Sequence, residues 1–199
     1  MAETGNPFPR MGRRAVVAGA AVAAALAETA LAQTGGVQTT GAQAAAPYAP
    51  PMAGTVPLVL PRTEFVYEAV CDLAPTMMVG DSPLGERRMV PITGGTFEGP
   101  RIRGTVLAGG ADRQLIRRDG VRQLDALYEL RAEDGAVITV RNRVLVDDPQ
   151  GGPRYAFSTL EITAPDGPHA WLNHGVYVGT LDSLRPARAA VCIRVYRVV

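Results

Sequence analysis

Apolar and polar residues alternate along much of the chain after residue 62. In the first such stretch, Thr63–Leu73, every second residue would lie on one face of an extended chain. The residues of that face are Phe65, Tyr67, Ala69, Cys71 and Leu73. A period of two residues is typical of a half-buried strand, with one face on the core and one in solvent.

Similar extended stretches recur to the end of the chain, separated by turn signals such as Asp119-Gly120 and Asp134-Gly135. The further predicted strands are 87–93, 96–107, 113–117, 121–131, 136–146, 155–163, 170–180 and 189–198. No stretch shows a convincing helical period. The pattern therefore predicts an all-β protein, a single antiparallel β-barrel of about 8 to 10 strands, because closure removes exposed strand edges. A barrel of about eight strands can hold one small ligand.

A glycine pair separates the second predicted strand, 87–93, from the third, 96–107. Gly94 and Gly95 predict a sharp turn there, since glycine reaches positive φ at little cost. Glu98 follows in an apolar stretch, where an unpaired carboxylate would be expensive. These residues together predict a concave site.

The first 32 residues resemble a secretory signal. Arg13-Arg14 precede a 13-residue apolar run, and Ala30-Leu31-Ala32 ends the segment with small residues. The paired arginines favour the twin-arginine route, cleavage near Ala32 and a bacterial periplasmic or secreted protein. An uncleaved membrane anchor is the alternative, but a span needs about 18 to 20 apolar residues.

Residues 33–61 carry no charge and are rich in Ala, Gly, Gln, Thr and Pro. Such a segment has too little apolar surface to offset its ordering entropy, so it is predicted to be a disordered linker. The folded domain is then 62–199, which is long enough for one core.

Composition excludes several function classes. The 20 basic and 19 acidic residues nearly cancel, so nothing points to nucleic acid or, in the mature form, to a membrane. Two histidines and two cysteines without ligand spacing argue against a zinc site. No phosphate-binding glycine motif opens a helix, and no cofactor is predicted.

Several short motifs, in order, resemble one known family, the bacterial and fungal domain of unknown function 3237, also called UPF 0311. They lie at 91–100, 109–112, 119–120, 124–125, 128, 140–143, 171–173 and 178–180. The resemblance implies a compact antiparallel β-barrel with no generally assigned activity. The chain departs from the family pattern at Arg113, where an aromatic residue is frequent, and in the short segment after Arg143, where an insertion that could cover one mouth is frequent.

Five residues are candidates for ligand binding: Glu98, Asp125, Tyr128, Asn142 and Asn173. A carboxylate in an apolar lumen can act as acid or base; the alternative for Glu98 and Asp125 is an ion pair with a nearby arginine. Asn142 shares its face with four aliphatic residues, so its buried amide must bind either a ligand or a loop backbone. Tyr128 is either a core residue or a ligand-binding phenol. Asn173 shares a predicted strand face with Trp171, a face that suits a binding cavity; the alternative for Trp171 is that it caps the barrel end.

Two further features allow more than one interpretation. Asp112 follows two glycines and is interpreted as a turn residue that bonds its own backbone. Cys71 and Cys192 lie in the first and last predicted strands, which closure would bring together. A disulfide between them and two buried free thiols are both compatible with that placement.

Three functions fit the sequence. The first is an exported barrel that binds a small, largely apolar organic molecule. The second is a cofactor-independent isomerase, cyclase or lyase on the same barrel, using an inward carboxylate. The third is a structural or assembly role without a cavity.

Overall fold

The structure is a computed structural model that describes residue 57 and residues 59–199. Its ten strands are β1 Thr63–Leu73, β2 Met77–Ser82, β3 Gly85–Glu98, β4 Arg103–Val106, β5 Ala111–Arg117, β6 Arg122–Ala132, β7 Val137–Asp147, β8 Tyr155–Thr163, β9 Tyr177–Ser183 and β10 Ala190–Val198. A short 3₁₀ helix, Ala170–Asn173, precedes β9. The all-β prediction is confirmed. The predicted signal at 1–32 lies outside the described residues, as does most of the predicted linker at 33–61.

The strands close into one antiparallel barrel with eight strand positions. The order runs from β1 through β10, β9, β8, β7 and β6. The next position is shared by β4 and β5, because each of them pairs with both β6 and β3. Pairing of β3 with β1 completes the barrel. Strand β2 forms a hairpin with the first half of β3.

The glycine pair lies inside β3 and does not end it. Gly94 and Gly95 have φ values of 146° and 141°, and β3 pairs with β5 before them and with β4 from Gly95 onwards. A Cβ on Gly95 would lie 2.0 Å from the carbonyl oxygen of Val70 on β1. The predicted break is therefore wrong: the pair lets β3 stay extended while it changes partners and approaches β1 closely.

Three predicted segments differ from the structure. The turn-rich gap before β3 contains strand β2, Met77–Ser82. The long stretch 96–107 is divided by a turn in which the Gly99 N–H donates to the Ile102 carbonyl (2.8 Å). Proline has no N–H for a ladder, and Pro100 occupies this turn. The predicted strand 170–180 begins as the 3₁₀ helix, and β9 starts only at Tyr177.

The two ends of the barrel differ. At the end that we call the mouth, β1, β7 and β9 end and β6, β8 and β10 begin. The opposite end is filled by buried side chains, with Leu130, Ile138 and Tyr177 beneath Leu172 of the 3₁₀ helix. Trp171 packs against this cluster, and the Arg101 guanidinium lies 4.1 Å from its ring centroid. The core thus seals one end of the lumen.

The two cysteines lie on neighbouring strands, as expected, but on opposite faces. Cys71 pairs with Val191 and Cys192 pairs with Val70, so the register places one thiol inside the barrel wall and the other outside. Within the described residues both cysteines are free and buried. The disulfide interpretation is wrong for this reason. The described part of the chain also contains no helix whose length and hydropathy would let it cross a membrane.

Candidate ligand-binding site in the barrel lumen

A cavity of about 390 Å³ extends from the mouth into the lumen. Its walls are mostly aliphatic and come from β1, β3, β5, β6, β7, β9 and β10. They include Ile92, Leu124, Ala126, Val144, Leu181 and Ile193. Binding sites for small molecules are commonly apolar concavities of this size class, with a few polar groups that orient the ligand.

Asn142 is the most deeply buried polar residue of the wall. Its side chain points inward from β7, is 1% exposed and lines the cavity. Among the described residues, neither its Oδ1 nor its Nδ2 has a hydrogen-bond partner. Buried amides in folded proteins are nearly always hydrogen-bonded. The Asn142 amide is therefore available to bond a molecule in the lumen.

Asp112 also faces the cavity, and the prediction that it is a turn residue is wrong. It lies in β5 and is half-buried. Gln114 Nε2 donates to its Oδ2 at 2.7 Å, whereas its buried Oδ1 has no partner among the residues that the structure describes. Burial raises the pKa of the Asp112 carboxyl, against the opposing effect of the Gln114 bond. Its protonated form is favoured relative to an exposed aspartate.

Asp112 and Asn142 belong to one row across the sheet. Asp112 pairs with Ala126 on β6, and Ala126 pairs with Asn142 on β7. Strands lie about 4.8 Å apart, so the two polar residues are about 10 Å apart along the wall. The small Ala126 side chain between them leaves room in the lumen, and one small molecule can contact both polar groups.

Tyr128 lies one inward position deeper than Ala126 and forms part of the cavity floor with Cys71. It is 0% exposed, and Tyr67 is its buried neighbour. Burial raises its pKa well above the usual value, and the neighbouring Tyr67 and Cys71 add to the effect. Burial likewise raises the pKa of the Cys71 thiol to about 12. These groups stay protonated at neutral pH, so the floor is neutral.

Glu98 and Asp125 lie outside the lumen. Glu98 is exposed on the outer wall, because the inward residue at this point of β3 is its neighbour Phe97. Asp125 faces outward from β6 and accepts two bonds from Arg141, at 2.9 and 2.8 Å. These bonds lower the Asp125 pKa. The ion-pair alternative thus describes Asp125, and neither carboxylate can reach a ligand in the lumen.

Asn173 lies at the closed end, in the 3₁₀ helix. Its Oδ1 accepts from the Ala164 N–H (2.8 Å), and its Nδ2 donates to the Ala164 carbonyl (2.9 Å). The side chain therefore fixes the chain after β8 and does not line the cavity. The histidines are elsewhere: His169 contacts Asp134 at 3.0 Å and His174 is exposed. Over residues 57 and 59–199, no three metal-ligating side chains converge on one point.

Comparison with known proteins places the chain in a family. The family model described as "Protein of unknown function (DUF3237)" matches residues 61–198, the whole barrel. The chain belongs to the DUF3237 family. Membership confirms the resemblance drawn from the motifs.

The relatives that this chain matches include a named enzyme. A UPF0311 protein of Rhodopseudomonas palustris is 38% identical over 81 residues, which cover 41% of this chain and 53% of the relative. The chain thus spans about half the length of the first curated relatives it matches. A relative from Penicillium herquei, named hydroalkoxylation enzyme phnH, is 32% identical over 124 residues, covering 62% of this chain and 76% of that protein.

A solved structure shares the fold. A β-barrel-like protein of Acinetobacter baumannii has a TM-score of 0.65 and 30% identity, covering 72% of this chain and 99% of that chain. This DUF3237 barrel is therefore a known architecture.

Asp112 was not among the predicted site residues because the predicted strand begins at Arg113, two residues after the start of β5 at Ala111. Extending β5 to Ala111 puts Asp112 and Gln114 on the same face, opposite Arg113. The alternation would then have shown a carboxylate and an amide on the inward face. The glycines before Asp112 favoured a turn instead.

Proposed function

We propose that this protein is an exported β-barrel that binds one small, largely apolar organic molecule in its lumen. The observation that carries the proposal is the cavity of about 390 Å³ in which both polar atoms of the buried Asn142 amide lack a partner among the residues that the structure describes. The proposal of export rests on the sequence of the first 32 residues alone.

The cavity argues against a purely structural role. A barrel that needs only stability gains most from a lumen filled with aliphatic side chains, as at its closed end. An unpartnered buried amide costs about 1 to 3 kcal/mol. A residue such as Asn142 is better explained by a ligand that the amide orients, while aliphatic neighbours such as Leu124 and Val144 contact the body of that ligand.

A fluorescent probe tests lumen binding. N-phenylnaphthylamine is neutral, apolar and strongly fluorescent only out of water. We expect it to bind the wild-type protein with one-to-one stoichiometry. Ala126→Phe places a ring in the middle of the cavity, and we expect it to abolish binding while the circular dichroism of the barrel is retained.

The controls distinguish the lumen from the outer wall. Leu127→Phe enlarges the outward neighbour of Ala126, which is 46% exposed, and should leave binding unchanged. No binding to the wild type, or equal binding to the wild type and Ala126→Phe, would contradict the proposal.

A second candidate function is proton-transfer catalysis in the same lumen. It is favoured by Asp112, whose carboxyl faces the cavity with a raised pKa. The phnH relative is named for hydroalkoxylation, which adds an O–H across a C=C bond. In such a step the protonated Asp112 would give its proton to an alkene carbon, the substrate hydroxyl oxygen would bond to the resulting cation, and the hydroxyl proton would return to Asp112. Atoms and electrons balance without a cofactor.

Deuterium labelling tests this candidate. An ortho-alkenyl phenol incubated with the wild-type protein in heavy water should give a ring-closed isomer with one deuterium on carbon. Asp112→Asn should abolish the reaction, whereas Asp125→Asn, on the outer wall, should retain it. Absence of product from the wild type, or product from Asp112→Asn at the wild-type rate, would contradict an acid role for Asp112.

A further inference from the structure

The charged residues that line the cavity are distributed unevenly. Three arginines line it, namely Arg122, Arg154 and Arg185, and all three lie at the mouth. Arg122 begins β6, Arg154 lies just before β8, and Arg185 follows β9. The deeper wall carries Asp112 and neutral side chains, so positive charge in this cavity is confined to its entrance.

The local acids neutralise these arginines only in part. Asp148 is the one carboxylate of the described cavity lining at the mouth, and its Oδ2 lies 3.7 Å from Nη2 of Arg122. Arg154 donates to the Leu181 carbonyl at 2.9 Å and lies 3.6 Å from Asp182. In the part of the chain that the structure describes, the guanidinium of Arg185 has no carboxylate within salt-bridge distance. The mouth therefore has spare positive charge.

We propose that the lumen ligand carries an anionic group, such as a carboxylate, sulfonate or phenolate, which Arg185 binds at the mouth with Arg122 and Arg154. This inference rests on the lumen-binding function proposed above and names the class of molecule: an amphipathic acid with an apolar body. Guanidinium groups form short, directional bonds with such oxyanions. At the mouth the anion keeps part of its hydration, which limits the cost of desolvation.

The same charges set the orientation of the ligand. An anionic end directed inward would approach Asp112 and an aliphatic wall, away from every arginine of the lining. Ala126 lies four positions after Arg122 on β6, which is about 13 Å at the rise of a strand. A ligand with a rigid body of two or three rings can therefore extend from the row of Asp112, Ala126 and Asn142 to the mouth. Its anionic group then lies beside the arginines.

A pair of matched probes tests the proposal. Anilinonaphthalene sulfonate differs from N-phenylnaphthylamine only by an added sulfonate. We expect the wild type to bind the anionic probe more tightly, and Arg185→Gln to weaken it by about threefold to tenfold while binding of the neutral probe is unchanged. Arg122→Gln should act in the same direction. Added salt should weaken the anionic probe selectively.

The control is Arg103→Gln, which makes the same charge change on the outer wall, where Arg103 lies 3.8 Å from Glu133. It should affect neither probe. Equal loss of the anionic probe in Arg103→Gln and Arg185→Gln would overturn the mouth site, as would no loss in Arg185→Gln. In both cases a bound neutral probe leaves the lumen function standing. If neither probe binds the wild type, the lumen function itself fails, and the anion site with it.

Discussion

Replacing Asn142 by leucine should leave the barrel as stable as the wild type or make it more stable. Leucine presents aliphatic atoms where the amide now presents Oδ1 and Nδ2 without partners among the described residues. Replacing an unpartnered polar group by an apolar one removes its desolvation cost. The adjoining cavity has room for the slightly larger side chain.

The magnitude follows from the burial of the amide. An unsatisfied buried polar group costs about 1 to 3 kcal/mol. We therefore expect Asn142→Leu to raise the free energy of unfolding by up to about that amount. For a domain of this size, 1 kcal/mol corresponds to roughly 4 °C in Tm. The expected rise is therefore at most about 12 °C. Binding of a ligand that uses the amide should weaken at the same time.

Asn173→Leu is the matched control, because the residue and the change are the same and the surroundings differ. The Asn173 amide makes two bonds with the backbone of Ala164, and losing them should cost about 1 to 2 kcal/mol. Urea denaturation of the two variants and the wild type measures both effects. A loss of more than about 1 kcal/mol in Asn142→Leu would show that the amide stabilises the fold, and would refute the reasoning.

Three further predictions concern other parts of the chain. Because the folded pKa of Asp112 is raised above its usual 3.8, the contribution of Asp112 to stability should be lost as pH rises from that value through the folded pKa. The wild type should therefore lose stability relative to Asp112→Asn over this range, and urea denaturation of both proteins at acidic and neutral pH measures the difference. Thiol titration of the denatured, unreduced protein should find Cys71 and Cys192 both reactive, and zero reactive thiols would contradict the register of β1 and β10. N-terminal sequencing of the exported protein should begin at Gln33, after Ala32; a full-length cytoplasmic product would contradict export.

Alternation was enough to predict the barrel and one wall of its site. Asn142 and Tyr128 lie within long strands with regular period, so their inward direction followed from their neighbours alone. The same rule places Asp125 outward, where it lies opposite Arg143 and bonds the diagonal Arg141. The ion pair of Asp125 depends on Arg141, which is 16 residues away in the sequence. That partner can be identified only when the register of β6 and β7 is known.

The rest of the site depends on contacts that a one-dimensional pattern does not carry. Asp112 became a wall residue because β5 starts earlier than its glycines suggest. Asn173 lies in a 3₁₀ helix and not in the predicted strand, and there its amide bonds the backbone of Ala164, nine residues away. The arginines of the mouth come from three separate strand ends, and only closure of the barrel brings them to one rim.

The central claim, that the lumen holds a small organic molecule, is tested most directly by native mass spectrometry. The protein purified from its native host should carry one small molecule per chain, and Ala126→Phe, purified in the same way, should carry none. An adduct of one mass in the wild type alone would also identify the chemical class of the ligand. The same adduct on both proteins, or no adduct on the wild type, would contradict the claim.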